Sequence, residues 1–129
     1  RGYPIAIKTD LTHQKLMELY GRAMIYWHAA GYGVDLSRYP EKAEHFGIST
    51  VEAMAGGAVP IIFGAGGQLE VIEDNKNGML WSTPEDLINK TLMLISNSNQ
   101  RRILAERAVK RSRLFGKERF FREIRELFK

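Results

Sequence analysis

Three short apolar runs, Ala23–Trp27, Val59–Phe63 and Met79–Trp81, punctuate this chain, and segments of helical period fill the gaps between them. Runs without polar alternation read as strands buried on both faces. No tight turn joins one run directly to the next, so hairpins are excluded as the connections. Strands that alternate with helices run parallel, because a crossover is needed to bring the chain back to the same end of the sheet. The chain is therefore expected to be α/β, with a parallel sheet flanked by helices. Pro4–Lys8 is expected to add a further short strand.

The helical segments carry their own punctuation. Asp10 or Thr12 caps a helix with Leu16, Leu19, Tyr20 and Ala23 on one face. A second helix begins near Gly47–Ser49, shows Ile48, Val51, Met54 and Ala55 at helical spacing, and ends at Gly56-Gly57. Gly31–Lys42 and Gly64–Gly67 read as loops, Leu69–Glu73 as a short helix and Asn75–Gly78 as a turn. Thr83-Pro84-Glu85-Asp86 is a helix start: a cap, a proline at the first position, and two acids at the positive end of the dipole. That helix is expected to reach about Ile95, with a break at Asn97–Asn99. Two more follow, over about Gln100–Arg113 and Lys117–Phe128. The last presents Phe120, Ile124, Leu127 and Phe128 on one face.

Composition narrows the class. With 129 residues, 44% hydrophobic and 26% charged, the chain has the size and apolar content of one folded domain and not of a disordered segment. No run is long and apolar enough for a membrane-spanning helix. Cysteine is absent, which excludes disulfides, thiolate nucleophiles and cysteine–zinc sites. No signal peptide is visible in the polar opening Arg1-Gly2-Tyr3-Pro4, and none is expected. A cytoplasmic location is expected. There is no starter methionine, and Tyr3–Lys8 reads like a strand entered in mid-protein. The net charge is +4, and residues 101–129 hold eleven basic and four acidic side chains, so the rest is acidic overall. Two readings of this basic segment stand: an anionic surface binder, or a solvated helix face with i,i+4 pairs such as Glu118–Arg122 and Arg122–Glu126. No nucleic-acid motif accompanies it, and no nucleic-acid partner is expected.

The chemistry is concentrated in Glu44–Pro60. This stretch is a loop with a carboxylate, then a glycine, then a helix start. Backbone N–H groups and the dipole at a helix start favour an anion. Gly47 permits close approach of a ligand to the backbone. Glu44 stands just before the helix and Glu52 about one turn inside it, and carboxylates accept well from sugar hydroxyls. A phosphate flanked by polyols, as in a nucleotide sugar, fits that layout. A helix with one capping acid and one surface acid fits it as well.

This stretch resembles the Glu-x7-Glu motif of retaining GT-B glycosyltransferases of family 4. Glu44, Phe46, Gly47, Ile48, Glu52, Ala53, Met54, Ala55 and Gly57 match its common form, with Pro60 as the following proline. Leu19-Tyr20-x-x-Ala23 before it, and Gly66-Gly67-x-x-Glu70 and Asn77-Gly78-x-Leu80 after it, resemble the family's flanking elements in order. The resemblance implies a Rossmann-like, partial C-terminal domain of a GT-B enzyme across residues 1–129, with the basic helices of 99–129 inside it. It implies transfer of a sugar from a nucleotide-diphosphate sugar to an acceptor, with retention. Glu44 and Glu52 would be the residues on which transfer depends, Glu44 on the hydroxyls of the transferred sugar and Glu52 on the ribose. The N–H groups of Phe46, Gly47 and Ile48 would meet sugar and diphosphate. Ser49 and Thr50 would add phosphate contacts, and Gly66 and Gly67 would line the donor cleft. Met24 and its neighbours are read as core, and Met54 and Ala55 as packing. GT-B enzymes generally stabilise the leaving diphosphate with basic side chains and helix dipoles. This sequence lacks an aspartate–x–aspartate motif, its three histidines show no ligand spacing, and neither metal nor other cofactor is expected.

The departures from the family are local. His45 replaces a small residue and either contacts donor or lies at the surface. His28-Ala29 stands where many members have Pro-Ser, like a subgroup with a Tyr-Trp-His strand end and a Glu-His-Phe-Gly motif. His28 either lines the cleft or packs at the strand end. Pro60 falls one residue late, so the entry to the next strand is expected to differ. The acceptor domain and the family's arginine–lysine pair have no counterpart, so the chain alone is expected not to turn over donor. Three further expectations stand beside the donor reading: a non-catalytic nucleotide-binding or interaction module, peripheral membrane contact through the basic helices, and a homodimer through an uncovered sheet edge.

Overall fold

The computed structural model describes residues 2–129. Its strands are β1 (Ile25–His28), β2 (Val59–Phe63) and β3 (Met79–Trp81). Its helices are α1 (His13–Arg22), α2 (Ile48–Ala55), α3 (Gln68–Val71), α4 (Pro84–Ser96), α5 (Ser98–Ser112) and α6 (Lys117–Leu127). Short 3₁₀ turns cover Pro40–Lys42 and Arg113–Phe115. The three strands form one sheet in the order β1-β2-β3, all parallel, with Ile25 opposite Val59 and Ile61 opposite Met79. The α/β reading therefore holds, and each crossover carries a helix.

β2 lies in the middle and is apolar throughout because both of its faces are covered. Val59 and Ile61 join Met79, Trp81, Leu94 and Leu104 on the side of α4 and α5. Ile62 joins Met54, Val71, Ile72 and Ala108 on the side of α2. A proline in a central strand ordinarily breaks a ladder. Here Val59 N–H donates to Met24 C=O, so by alternation the nitrogen of Pro60 faces away from β1. It meets Gly78, one residue before the first β2–β3 pair, and a Cβ on Gly78 would fall 2.6 Å from Pro60 Cγ. The late proline thus sits inside the strand and costs it no hydrogen bond.

Capping follows the side chains. Thr12 caps α1 through Lys15 N–H, and Thr83 caps α4 through Asp86 N–H behind Pro84. Asn97 ends α4 and caps α5 by accepting from Gln100 N–H. The basic segment has a use that its charge pattern does not announce. Arg101 donates to the carbonyls of Leu94 and Ile95 at the end of α4. Arg111 donates to Glu70 and Val71 at the end of α3 and pairs with Glu73 at 3.1 Å. Cations there satisfy the unpaired carbonyls and the negative end of the dipole. Among the described residues the ion pairs within segment 101–129 are Arg102–Glu106, Arg119–Glu123 and Lys129–Glu126, rather than the expected Glu118–Arg122 and Arg122–Glu126.

Three further expectations are corrected. Pro4–Lys8 is exposed and irregular, with a bend at Pro4, and not a strand, because no neighbouring strand offers it a ladder. Met24 is 58% exposed, at the open edge of the sheet, so it is not core. Ala55 is exposed, and Ala53 takes its place beneath α2 with Met54. No helix among the described residues is long and apolar enough to cross a membrane.

Candidate functional site

In an open parallel sheet, ligands bind beyond the carboxyl ends of the strands. Four segments meet there: His28 at the end of β1, the loop Ala43–Gly47, the start of α2, and Gly64–Gln68 after β2. Their packing is close enough to dictate residue type. Gly67 N–H donates to Glu44 C=O at 2.8 Å, and a Cβ on Gly67 would lie 1.7 Å from His45 O. A Cβ on Gly66 would meet Glu44 O at 2.4 Å, and Gly66 also has φ +60°. The glycine pair is a seat for the backbone of Glu44 and His45.

Gly47 is the N-cap of α2 at φ +85°, and no side chain caps that helix. A Cβ there would come within 2.6 Å of the Gln68 amide. The opening turn of α2 therefore presents backbone donors without a protein cap, the arrangement that suits an anion. Glu44 is fastened beside it: its Oε1 accepts from Phe46 N–H at 3.4 Å, and its Oε2 lies 3.5 Å from His28 Nε2. Behind this carboxylate, Gln68 Nε2 donates to Thr50 Oγ1 at 3.0 Å and approaches His28 Nδ1 at 3.4 Å. The Tyr26 hydroxyl and Ser49 Oγ are 2.8 Å apart. Glu52 lies further along α2, toward α1. Burial, then the Tyr26 phenol and the Glu52 carboxylate, hold the Tyr20 phenol above the usual tyrosine range.

The profile of the family described as glycosyl transferases group 1 matches residues 7–111. The chain belongs to this family. An uncharacterized glycosyltransferase of Methanocaldococcus jannaschii, MJ1178, is 34% identical over 91 residues, which are 69% of this chain and 26% of the relative. The fold is similar to the C-terminal domain of a Francisella tularensis glycosyl transferase group 1 protein, LpcC, with TM-score 0.67 and 25% identity over 87% of this chain and 52% of that one. It is also similar to Anabaena Alr3699/HepE, solved in complex with UDP, with TM-score 0.72 and 23% identity over 86% of this chain and 29% of that one. The architecture is thus that of the C-terminal domain of GT-B glycosyltransferases, and this chain spans about a quarter of the length of the curated relative.

The family motif maps onto the site unevenly. Glu44, Gly47 and Ser49 come together at the start of α2, and Glu52 follows on the same helix. Ile48 and His45 are exposed, the histidine at the loop surface. Phe46 does not offer its N–H freely, because Glu44 takes it. Its ring packs edge-to-face on Phe115, with centroids 5.5 Å apart. Thr50 differs from Ser49: its side chain is fully buried and accepts from Gln68, which leaves its backbone N–H, and not its hydroxyl, for an anion at the helix tip. Gly66 and Gly67 seat the Glu44–His45 backbone, and Gly66 is exposed beside it. The missed residues are Gln68 and Tyr26. Gln68 follows a Gly-Gly pair and reads as an ordinary helix-start polar residue, and only its burial exposes its role.

Proposed function

We propose that this chain is the donor-binding part of a retaining family 4 glycosyltransferase that uses a nucleotide-diphosphate sugar. The observation that carries the reading is Glu44, held by its own loop within reach of an uncapped helix start at the carboxyl end of the sheet. The diphosphate would lie on the first-turn N–H groups of α2, where donors and dipole already point and need no reorganisation as charge grows on the leaving group. Glu44 would accept from hydroxyls of the transferred sugar, and Glu52 from the ribose. Both act by positioning, which turns binding into a defined attack geometry. Neither is cast as an acid–base pair. The UDP bound by the Anabaena neighbour supports a nucleotide as the ligand class. The acceptor groups lie outside these residues, so the 129-residue chain would bind donor without transferring sugar.

Calorimetric titration of UDP and GDP tests the nucleotide part. Glu52→Ala is expected to weaken binding about tenfold, the loss of one good polar contact. Binding of neither nucleotide by the wild type would remove the reading. Transfer assays on the full-length protein with a panel of UDP- and GDP-sugars test the rest, with Glu44→Ala expected to abolish most turnover. Nucleotide binding without transfer from any donor would favour a non-catalytic module instead.

A further inference from the structure

His28 lies at the end of β1, where its own carbonyl accepts from Trp81 Nε1 at 3.2 Å and locks the strand end in place. Its ring is sandwiched by function as much as by packing. Nδ1 faces the Gln68 amide nitrogen at 3.4 Å, and Nε2 faces Glu44 Oε2 at 3.5 Å. Gln68 is only 1% exposed, and its amide nitrogen has two hydrogens. One goes to Thr50 Oγ1 and the other points at His28 Nδ1. Nδ1 is then an acceptor, so the ring proton of a neutral imidazole sits on Nε2 and points at the Glu44 carboxylate.

The opposite amide orientation is the poorer one. As it stands, the single polar atom in this cluster without a partner is Gln68 Oε1, packed against Gly47. Reversing the amide would bury two unpartnered N–H donors in place of one acceptor. Gln68 thus donates in two directions, to Thr50 Oγ1, which fixes its amide, and to His28 Nδ1, and the His28 ring in turn presents Nε2–H to Glu44. Glu44 accepts from Phe46 N–H at Oε1, His28 Nε2 stands 3.5 Å from Oε2, and the remaining lone pairs are left for a ligand. Contacts of 3.5 Å between site groups commonly tighten once substrate is bound.

We propose that His28 is a positioning residue, which through Nε2–H aims the Glu44 carboxylate at the sugar of the donor while Gln68 and Thr50 set its tautomer. The proposal rests on the donor-binding reading above. Its consequence is selective. A nucleoside diphosphate does not reach Glu44 through a sugar, whereas a nucleotide sugar does. Loss of the His28 proton therefore weakens the nucleotide sugar and spares the nucleotide.

The experiment compares UDP with UDP-glucose and GDP with GDP-mannose by calorimetry on the wild type, His28→Ala, His28→Gln, His28→Asn, Glu44→Ala and the His28→Ala/Glu44→Ala double variant. His28→Ala is expected to shift the ratio of nucleotide-sugar to nucleotide affinity about tenfold against the sugar form, the loss of one charge-assisted hydrogen bond. The double variant is expected to match Glu44→Ala alone, because one residue acts through the other. His28→Gln carries an amide to the place of Nε2 and restores the ratio, while His28→Asn stops short at the place of Nδ1 and does not. On the unmodified protein, long-range ¹H–¹⁵N correlation of the ring is expected to show Nε2 protonated and Nδ1 bare. An unchanged ratio in His28→Ala, additive losses in the double variant, or an Nδ1–H tautomer each overturns the proposal while leaving the donor reading intact. Binding of no nucleotide and no nucleotide sugar by the wild type overturns the donor reading and the proposal with it.

Discussion

Helices α2 and α6 are of similar length and meet opposite fates. α2 is weakly amphipathic, with apolar, small and hydroxyl residues in one short run, yet Thr50, Ala53 and Met54 are buried in it. α6 has a sharply divided apolar face and no buried residue at all, with Phe120 60% exposed and Leu127 80%. Division of a helix into two faces records that a partner is wanted, not that one is at hand. Burial of α2 comes instead from its place: it leaves the Glu44 loop, crosses to β2, and is enclosed by α1, the sheet and α5. Small residues serve it better than a broad apolar stripe. Gly56 lies so close to α1 that a Cβ would come within 2.9 Å of the Tyr20 backbone.

The sharpest way to break this contrast is to load the α2 side. Gly67→Ala would drive a methyl into the His45 carbonyl, which is backbone and cannot rotate away. A loss of about 3 kcal/mol or more in urea unfolding is expected, at the upper end of overpacking. A loss below 1 kcal/mol would show that the loop is not seated on the glycines. Met54→Ala should cost about 2–5 kcal/mol as a core cavity, whereas Leu127→Ala on α6 should stay within about 0.5 kcal/mol. Equal losses would mean that α6 has a partner surface in solution. Thr50→Val keeps the shape but removes the acceptor for the Gln68 amide, and about 1–3 kcal/mol is expected from the unfolding midpoint. A neutral outcome there would detach Gln68 from the cluster.

The smallest effect is electrostatic and lies away from both helices. The hydrogen bond and charge of Lys76, aided by Arg111, hold the Glu73 carboxyl below the usual carboxylate range. Hydrogen bonds from the Ser37 hydroxyl and the Arg38 N–H do the same for Asp35. A lowered folded-state pKa adds stability that is complete above the unfolded-state value and is lost as pH falls through the folded one. Stability should therefore decline on acidification below the ordinary carboxylate range, and Glu73→Gln should flatten part of that slope. Both groups are solvent-exposed, so the slope is shallow, and thermal melts at several acidic pH values would measure it. An identical slope in the variant would assign the decline to other groups.

Much of the fold is legible in the residues because local chemistry agrees with it. Thr83-Pro84 starts α4 as read, Asn97 divides α4 from α5, and Val59–Phe63 is β2 with the expected bounds. Local reading fails where a partner decides. Pro4–Lys8 has strand composition and no ladder, and Met24 belongs to an apolar run but lies at an open edge. In the site, Glu44 and Gly47 are legible because a carboxylate, a glycine and a helix start are adjacent in sequence. Thr50 is not, since a hydroxyl in the first turn reads as a phosphate contact until its burial under Gln68 is known. The basic segment is only partly legible for the same reason: Arg101 and Arg111 cap helix ends in sequence-distant or folded-back segments.

The sequence by itself determined the parallel α/β order, the helix caps and the Glu-x7-Glu loop, because periodicity, caps and glycine act over a few residues. Only the tertiary structure decided which of those residues meet. His28, Glu44, Thr50 and Gln68 come from four separate segments, and their cluster exists because the carboxyl ends of β1 and β2 lie side by side. Hydrogen bonds between such segments depend on distances that no local pattern encodes, and burial then makes each of them costly to lose.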